Sequence, residues 1–370
     1  MIHIHFDQPS IQSWYADQVI QLIPNTNLSS EPAVAKDPLS KDFANQLDML
    51  SEDEIRDILL SPMEELSSRY DWIREYIMLC DAIALYPSFR EKHPGHNVCK
   101  ARESYILQYL SCRFFYESFR ESGQSYNSAV ENWNHLKAVI RRATERRELL
   151  DVLIEQKFNY SFLSEEIRGA LVEKMKTPIC PYCNRQYTHS VTIDGRKRYL
   201  GDLDHVLPKS LYRLFSLSLW NLIPSCKSCN QIFKKDRGTH ILNPQERGFD
   251  DDCILVLKFQ NIREIVGLDP PAKAQWVIQP SASPDDRGQI ENNLHIFHLN
   301  EIYNHHRHDF QRVLLRRFLA ESTGYRKSLS RLLAVSTLDF PSFWYGVSLD
   351  PSKFQEEMLS KAIYDTVYRN

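Results

Sequence analysis

Apolar residues recur at three- and four-residue intervals through most of the first half of the chain, the repeat of an amphipathic helix. Leu66, Tyr70, Ile73, Ile77, Cys80 and Ala84 form one such stripe, and Val130, Trp133, Leu136 and Ile140 form another. Stripes of this kind are packing faces, so the pattern predicts helices across residues 51–176. Ser51-Glu-Asp-Glu54 reads as a capping box opening the first of them. Pro178 disfavours a helical residue before it and closes the region near Lys176. Ahead of the helices, residues 1–6 alternate apolar and His, a short strand signal, and residues 22–40 are rich in Pro, Ser and Asn, as a linker or surface loop is.

After Pro178 the period shortens. Gln186–Ile193 and Arg196–Leu200 flank Asp194-Gly195, a dipeptide suited to the type I′ turn of a hairpin. Ile254–Phe259 and Trp276–Gln279 are further strand candidates, and Pro280–Gly288 reads as a loop. Asn300 is placed to cap a helix that turns Ile302, His306, Phe310, Val313 and Leu314 inward, and the remainder to Asn370 is mainly helical. No internal repeat or low-complexity tract interrupts this. The expected fold is α+β and predominantly helical, in four segments: 1–40 (strand and linker), 41–176 (helical), 177–260 (a small β-containing domain) and 261–370 (loop and helices).

Length and charge narrow the class. At 370 residues there is chain for two or three domains, and a formal net charge of −3 does not advertise a free-standing nucleic-acid binder. Any such surface must be a local basic patch. Met1–Phe6 lacks the layout of a signal peptide, and the longest apolar run, Cys253–Leu257, is far too short to span a membrane. A soluble, cytoplasmic protein without a membrane partner is expected. Of eight cysteines, Cys80, Cys99, Cys112 and Cys253 are scattered, and four form two C-x-x-C pairs.

Those pairs carry the first chemical signal. Cys180-Pro-Tyr-Cys183 and Cys226-Lys-Ser-Cys229 can each chelate a metal from one tight turn, and together they complete a tetrahedral four-sulfur site for structural Zn²⁺. The 42 residues between Cys183 and Cys226 must then form a folded unit whose ends return together.

Inside that unit lies Asp202-Leu-Asp204-His205-Val-Leu-Pro208-Lys-Ser210, followed by Trp220-Asn221-Leu-Ile-Pro-Ser225, a second short strand, and by Asn230 directly after the last cysteine. Asp202 and Asp204 share a face of a strand. The order strand, loop, strand, helix describes a ββα-metal unit. Phosphodiester hydrolysis requires a base for water, a cation at the phosphate and positive charge for the transition state. His205 suits the base. Asp204 and Asn230 offer a carboxylate and a neutral amide, a donor set that suits Mg²⁺ or Mn²⁺. Asn221 is positioned to orient His205 through a side-chain or backbone contact, and Lys234, Lys235 and Arg237 lie one turn beyond Asn230, where they can meet a phosphate backbone. Arg196 and Arg198, on the hairpin that leads into Asp202, are further candidates for that contact.

The nested arrangement Cys180–Asn230 resembles the HNH endonuclease domain in its zinc-stapled form, and Asp202–Ser210 resembles the corresponding block in the HNH domains of RNA-guided CRISPR nucleases. The resemblance implies that His205 is the general base, that Asp204 and Asn230 hold Mg²⁺, and that Asn221 is the middle Asn of the family. It also implies products with a 5′ phosphate and a 3′ hydroxyl. One departure is that Asn230 stands where the family name has His, which implies the Mg²⁺-using branch. The stretch from Ile179 to about Phe249, with a weaker echo at Phe297–Tyr303, is also similar to the HNH effectors of Septu-type and retron-associated anti-phage systems. There the nuclease works with an SMC/ABC-like ATPase. DNA as substrate and such an ATPase as partner are therefore expected; a stand-alone restriction or homing enzyme and a catalytically silent zinc module are the alternatives.

Two other clusters draw attention. Arg141–Arg147 is basic but reads chiefly as a solvated helix face. In His305-His306-Arg307-His308 only His305 and His308 lie on neighbouring faces, which favours a polar, basic surface over a metal site. His240 and Asn243 follow the nuclease helix closely enough to buttress it.

Overall fold

A computed structural model describes residues 1–5, 8–93, 98–237, 240–333 and 340–369. The chain is α+β and predominantly helical, with helical regions flanking three small antiparallel or two-stranded sheets. It divides into two units: one of residues 12–164 with 207–222, the other of residues 1–11, 165–206 and 223–370. Among the described residues no helix is long and apolar enough to cross a membrane.

The first unit is built around the helix Trp133–Lys157, against which Pro38–Asp48, Asp71–Lys92, Arg113–Ser122 and Tyr126–Glu131 pack. The two predicted stripes are present but interrupted. Tyr70 caps the helix from Asp71, and Asn132, whose side chain accepts from the amide of Asn134, restarts the chain between Glu131 and Trp133. An Asn side chain satisfies an otherwise orphaned amide there, which outweighs continuing the previous turn. The capping box at Ser51 and Glu54 forms as expected. The helix Gln8–Ile20 falls where strand and linker were expected; Ile11, Tyr15, Ala16 and Val19, at helical spacing, are buried. Residues 1–5 make isolated backbone bonds rather than a ladder, and Phe6 lies outside the described residues. The basic run 141–147 turns partly inward: Arg146 pairs with Asp37 and Glu121, Arg147 with Asp151, and Arg141 and Arg142 reach Glu145.

Residues 207–222 fold with these helices although they lie between the two strands of the predicted metal unit. Tyr212, Leu214, Phe215, Leu217 and Leu219 are buried. Tyr212 donates to Asp81 (2.6 Å), the Ser216 hydroxyl donates to the carbonyl of Phe158 (2.7 Å), and Tyr15 donates to the carbonyl of Leu217 (2.8 Å).

The second unit carries six strands: β1 (Ser190–Ile193), β2 (Arg196–Tyr199), β3 (Asp202–His205), β4 (Leu222–Ser225), β5 (Cys253–Lys258) and β6 (Lys273–Ile278). They pair β1 with β2, β3 with β4 and β5 with β6. Asp194 and Gly195 both have positive φ, +51° and +74°, as the expected type I′ turn requires. Helices Pro284–Ile296, Leu299–Asn304, Arg307–Glu321 and Ser360–Tyr368 are among those that accompany the strands. The segment read as a loop at Pro280–Gly288 is helical from Pro284. Ser283 caps it, its hydroxyl accepting from the Asp286 amide, and a proline tolerated at the first helical position begins it. His298, not Asn300, caps the next helix; the Asn300 side chain instead accepts from the amide of Trp276 (2.7 Å), joining helix to β6.

A single apolar core unites the four cysteines with Phe249, Leu255, Trp276, Ile290, Phe297, Tyr303, Phe310 and Ile363. Lys361 and Asp365 are buried within this unit, paired at 2.7 and 2.8 Å, and the Asp365 carboxylate also accepts the amide of Leu255 (2.9 Å), fixing the last helix to β5. Removing one partner of a buried pair strands the other charge, so Asp365→Ala is expected to destabilise the chain by about 3 kcal/mol or more. Urea denaturation measures this, and a loss under about 1 kcal/mol would show that the pair does not hold the helix.

Candidate functional site

The four cysteine sulfurs all lie within 4.8 Å of one another, and Cys183 and Cys226 are 4.0 Å apart. Zinc–sulfur bonds of about 2.3 Å in a tetrahedron place sulfurs about 3.8 Å apart, so the cluster fits a structural Zn²⁺. All four are buried. Burial pushes the Cys180 thiol up, while hydrogen bonds from the other three sulfurs draw Cys226 down toward thiolate.

The first cysteine turn is gripped from several sides. Tyr182 stacks on Phe297 at 4.4 Å, and the Tyr303 hydroxyl donates to the carbonyl of Cys183 (2.7 Å). Asn184 follows with φ +45° and is fully buried. Its amide donates to the carbonyls of Phe354 (3.0 Å) and Glu357 (3.2 Å), and its oxygen accepts from the Ser360 hydroxyl (3.2 Å). The C-terminal segment is therefore fastened to the zinc turn itself.

The second cysteine turn leads into a π-helix, Ser228–Lys234, closed by the bond from the Lys235 amide to the carbonyl of Asn230 (2.8 Å). π-helices are uncommon and gather at functional sites. This one is tied to β3 through both of the strand's aspartates, as expected of carboxylates sharing one face. Asp202 accepts from Asn230 (3.1 Å) and Gln231 (2.8 Å). Asp204 accepts from Tyr182 (2.7 Å) and Lys234 (3.2 Å), and Lys234 also donates to the carbonyl of His205 (2.5 Å). Asp204 and Lys234 are 3% and 1% exposed, so this is an interior ion pair. Burial pushes the Asp204 carboxyl up, and the Lys234 ammonium and Tyr182 hydroxyl oppose that. Gly201, just before β3, has no room for a side chain: a Cβ would stand 2.7 Å from the carbonyl of Ser225.

His205 ends β3 and is buried. Asn221 closes a short turn, Leu219–Asn221, just before β4. Its oxygen accepts from the Leu207 amide (2.7 Å), and its nitrogen donates to the carbonyls of Leu207 (3.1 Å) and Phe215 (3.0 Å). Those bonds fix the backbone at Leu207, two residues after His205 in sequence. Lys235, Arg237 and Arg198 are exposed, whereas the side chain of Arg196 lies outside the described residues. Among the described residues the four cysteines are the group able to supply a metal with three or more His, Cys, Asp or Glu ligands, and the histidines at 305–308 are not such a group.

Residues 180–240 match the family model for HNH endonucleases. Together with the four-cysteine cluster, this segment fits a zinc-type HNH domain, the domain of a metal-dependent nuclease. No curated relative and no solved structure matches the chain.

Tyr182, Asn184 and the inward turn of Lys234 were not read from sequence. For Lys234 a signal existed: four residues after Asn230, it returns to the same helix face. Asn184 had none, because its partners are more than 160 residues away. Lys234→Met should destabilise the chain by about 3 kcal/mol by leaving the buried Asp204 carboxylate without its counter-charge, while Lys235→Ala should change stability by less than about 0.5 kcal/mol. Thermal or urea unfolding of the two variants checks this; equal effects would contradict it.

Proposed function

We propose that the chain is a Mg²⁺- or Mn²⁺-dependent HNH endonuclease that hydrolyses DNA phosphodiester bonds, acting as the effector of an anti-phage defence system with an SMC/ABC-like ATPase. The observation that carries the nuclease reading is the joining of Asp202, Asp204 and His205, on one four-residue strand, to the helix that bears Asn230. The joining lies within the segment that matches the HNH endonuclease family.

His205 is the group that takes the proton of the attacking water, since an imidazole is the side chain with an unperturbed pKa near neutrality. Asn221 holds the following backbone so that the ring is delivered from a fixed strand end. The carboxylates of β3 and Asn230 would hold a divalent cation, which would neutralise charge developing on the phosphate and the departing 3′ oxygen. Exposed Lys235, Arg237 and Arg198 meet the phosphate backbone, and Lys234 faces inward and supports the strand instead. The zinc site performs no chemistry; it fixes the helix that carries Asn230.

Two features support the system-level reading. A net charge of −3 gives weak unaided attraction to DNA, which favours delivery by a partner. The stretch from Asp202 to Asn230 also resembles the effectors of Septu-type systems. His205→Ala is expected to lower plasmid cleavage by about a hundredfold or more with zinc content and unfolding unchanged. Cleavage persisting in that variant would remove the mechanism. Co-purification with an ATPase encoded beside it would support the partner assignment, and robust cleavage by the isolated chain at physiological salt would favour a stand-alone enzyme.

A further inference from the structure

The histidine-rich stretch at 305–308 opens a strongly basic part of the chain. Residues 307–333 carry seven Arg and Lys against Asp309 and Glu321, a formal +5 in a chain whose net charge is −3. They form two successive helices, Arg307–Glu321 and Thr323–Leu333, which pack on each other. Phe310, Val313 and Leu314 hold the inner face of the first helix in the same core as the four cysteines. The charge is therefore carried on the nuclease unit itself.

His308, Arg312 and Arg316 follow one another at four-residue steps on this helix, and all three are exposed. Four residues rise about 6 Å, so the row spans about 12 Å, roughly the width of the DNA major groove. Lys327 and Arg331 repeat the step on the second helix and are also exposed. These cations differ from the run at 141–147, where Arg141 and Arg142 reach Glu145 while Arg146 and Arg147 are buried in ion pairs. Among the described residues Arg316, Lys327 and Arg331 make no ion pair: Arg316 meets the carbonyl of Trp344 at 3.5 Å, and Arg312 has Asp309 at a distant 3.9 Å. Cations gathered without counter-charges are stabilised by a polyanion, and each phosphate they neutralise releases a condensed counterion. A helix that lies on a lipid surface keeps its apolar face free for the membrane, whereas here Phe310, Val313 and Leu314 are turned into the core.

We infer that helices Arg307–Glu321 and Thr323–Leu333 form a docking surface for the phosphate backbone of duplex DNA, outside the metal unit. Arg312, Arg316, Lys327 and Arg331 hold the duplex on the nuclease unit without reading its sequence, since contacts to phosphate position DNA and carry no base information. The choice of partner rests on the nuclease reading above. The surface supplies the local basic patch that a chain of net negative charge needs to hold DNA.

Duplex binding by the full-length, zinc-loaded chain carrying His205→Ala tests this, followed by fluorescence anisotropy from roughly 50 to 200 mM salt. Arg312→Gln, Arg316→Gln, Lys327→Gln and Arg331→Gln together should weaken binding at the low-salt end by about tenfold or more, equally for unrelated duplex sequences. They should also lower the slope of log affinity against log salt by about 3 to 4. Arg74→Gln, Arg113→Gln, Arg120→Gln and Arg141→Gln together remove the same charge from exposed but paired positions. That control should keep affinity within about twofold and leave the slope unchanged. If the first set of four lowers the melting temperature, Lys327→Gln with Arg331→Gln gives the same reading with a slope change of about 2. Parent-like binding after substitution of the basic helices would overturn the inference, as would an equal loss in the control or a parent chain that binds no duplex. Tighter binding to anionic lipid vesicles than to duplex, removed by the same substitutions, would overturn it too. Failure of the unsubstituted chain to cut DNA, with binding that still depends on these helices, would count against the nuclease reading and leave this surface standing.

Discussion

Four sulfurs within 4.8 Å of each other are the constraint on which the nuclease unit depends. They join two turns separated by 42 residues of sequence, and everything between must begin and end at that point. The first turn is buried among Phe297, Tyr303 and the C-terminal segment held by Asn184, so its position is set by a large apolar core. The second turn lies in the same core and becomes the start of the π-helix. A metal bound between them transfers the rigidity of the first to the second. Asn230, adjacent to Cys229, inherits a fixed position as a consequence.

The same economy shows in β3. Four residues supply two carboxylates and the candidate base, and the π-helix meets both carboxylates through Asn230, Gln231 and Lys234. Among the described residues, one carboxylate accepts from an interior lysine and a tyrosine, and the other from two neutral amides. Charge pairing in the interior stabilises the strand, and the half-buried carboxylate of Asp202 ties it to the same helix.

Much of this was legible in the sequence because it is local. The cysteine pairs, the Asp194-Gly195 turn, the Ser51 capping box and the Asp202–His205 block each depend on neighbours a few residues away, and local chemistry decides them. Asn221 was singled out by its place in the motif, and its side chain bonds the Leu207 peptide. What escaped depends on distance or on competition between local signals. Pro284 reads as a breaker until Ser283 is seen as a cap that makes proline the favoured first residue. Asn184 and Tyr303 gain meaning only when residues far apart in sequence come together in one core. Lys234, in a run with Lys235 and Arg237, looks like surface charge, and only burial separates it from them.

The dependence on the sulfur cluster is tested most directly by amide hydrogen exchange on the full-length chain before and after zinc is stripped by a chelator. Loss of zinc should abolish protection in β3 and in residues 226–235 and abolish cleavage with it, while the helix Trp133–Lys157 keeps its protection. A zinc-free chain that retains protection through residues 226–235 and still cuts DNA would contradict the claim that the metal places Asn230.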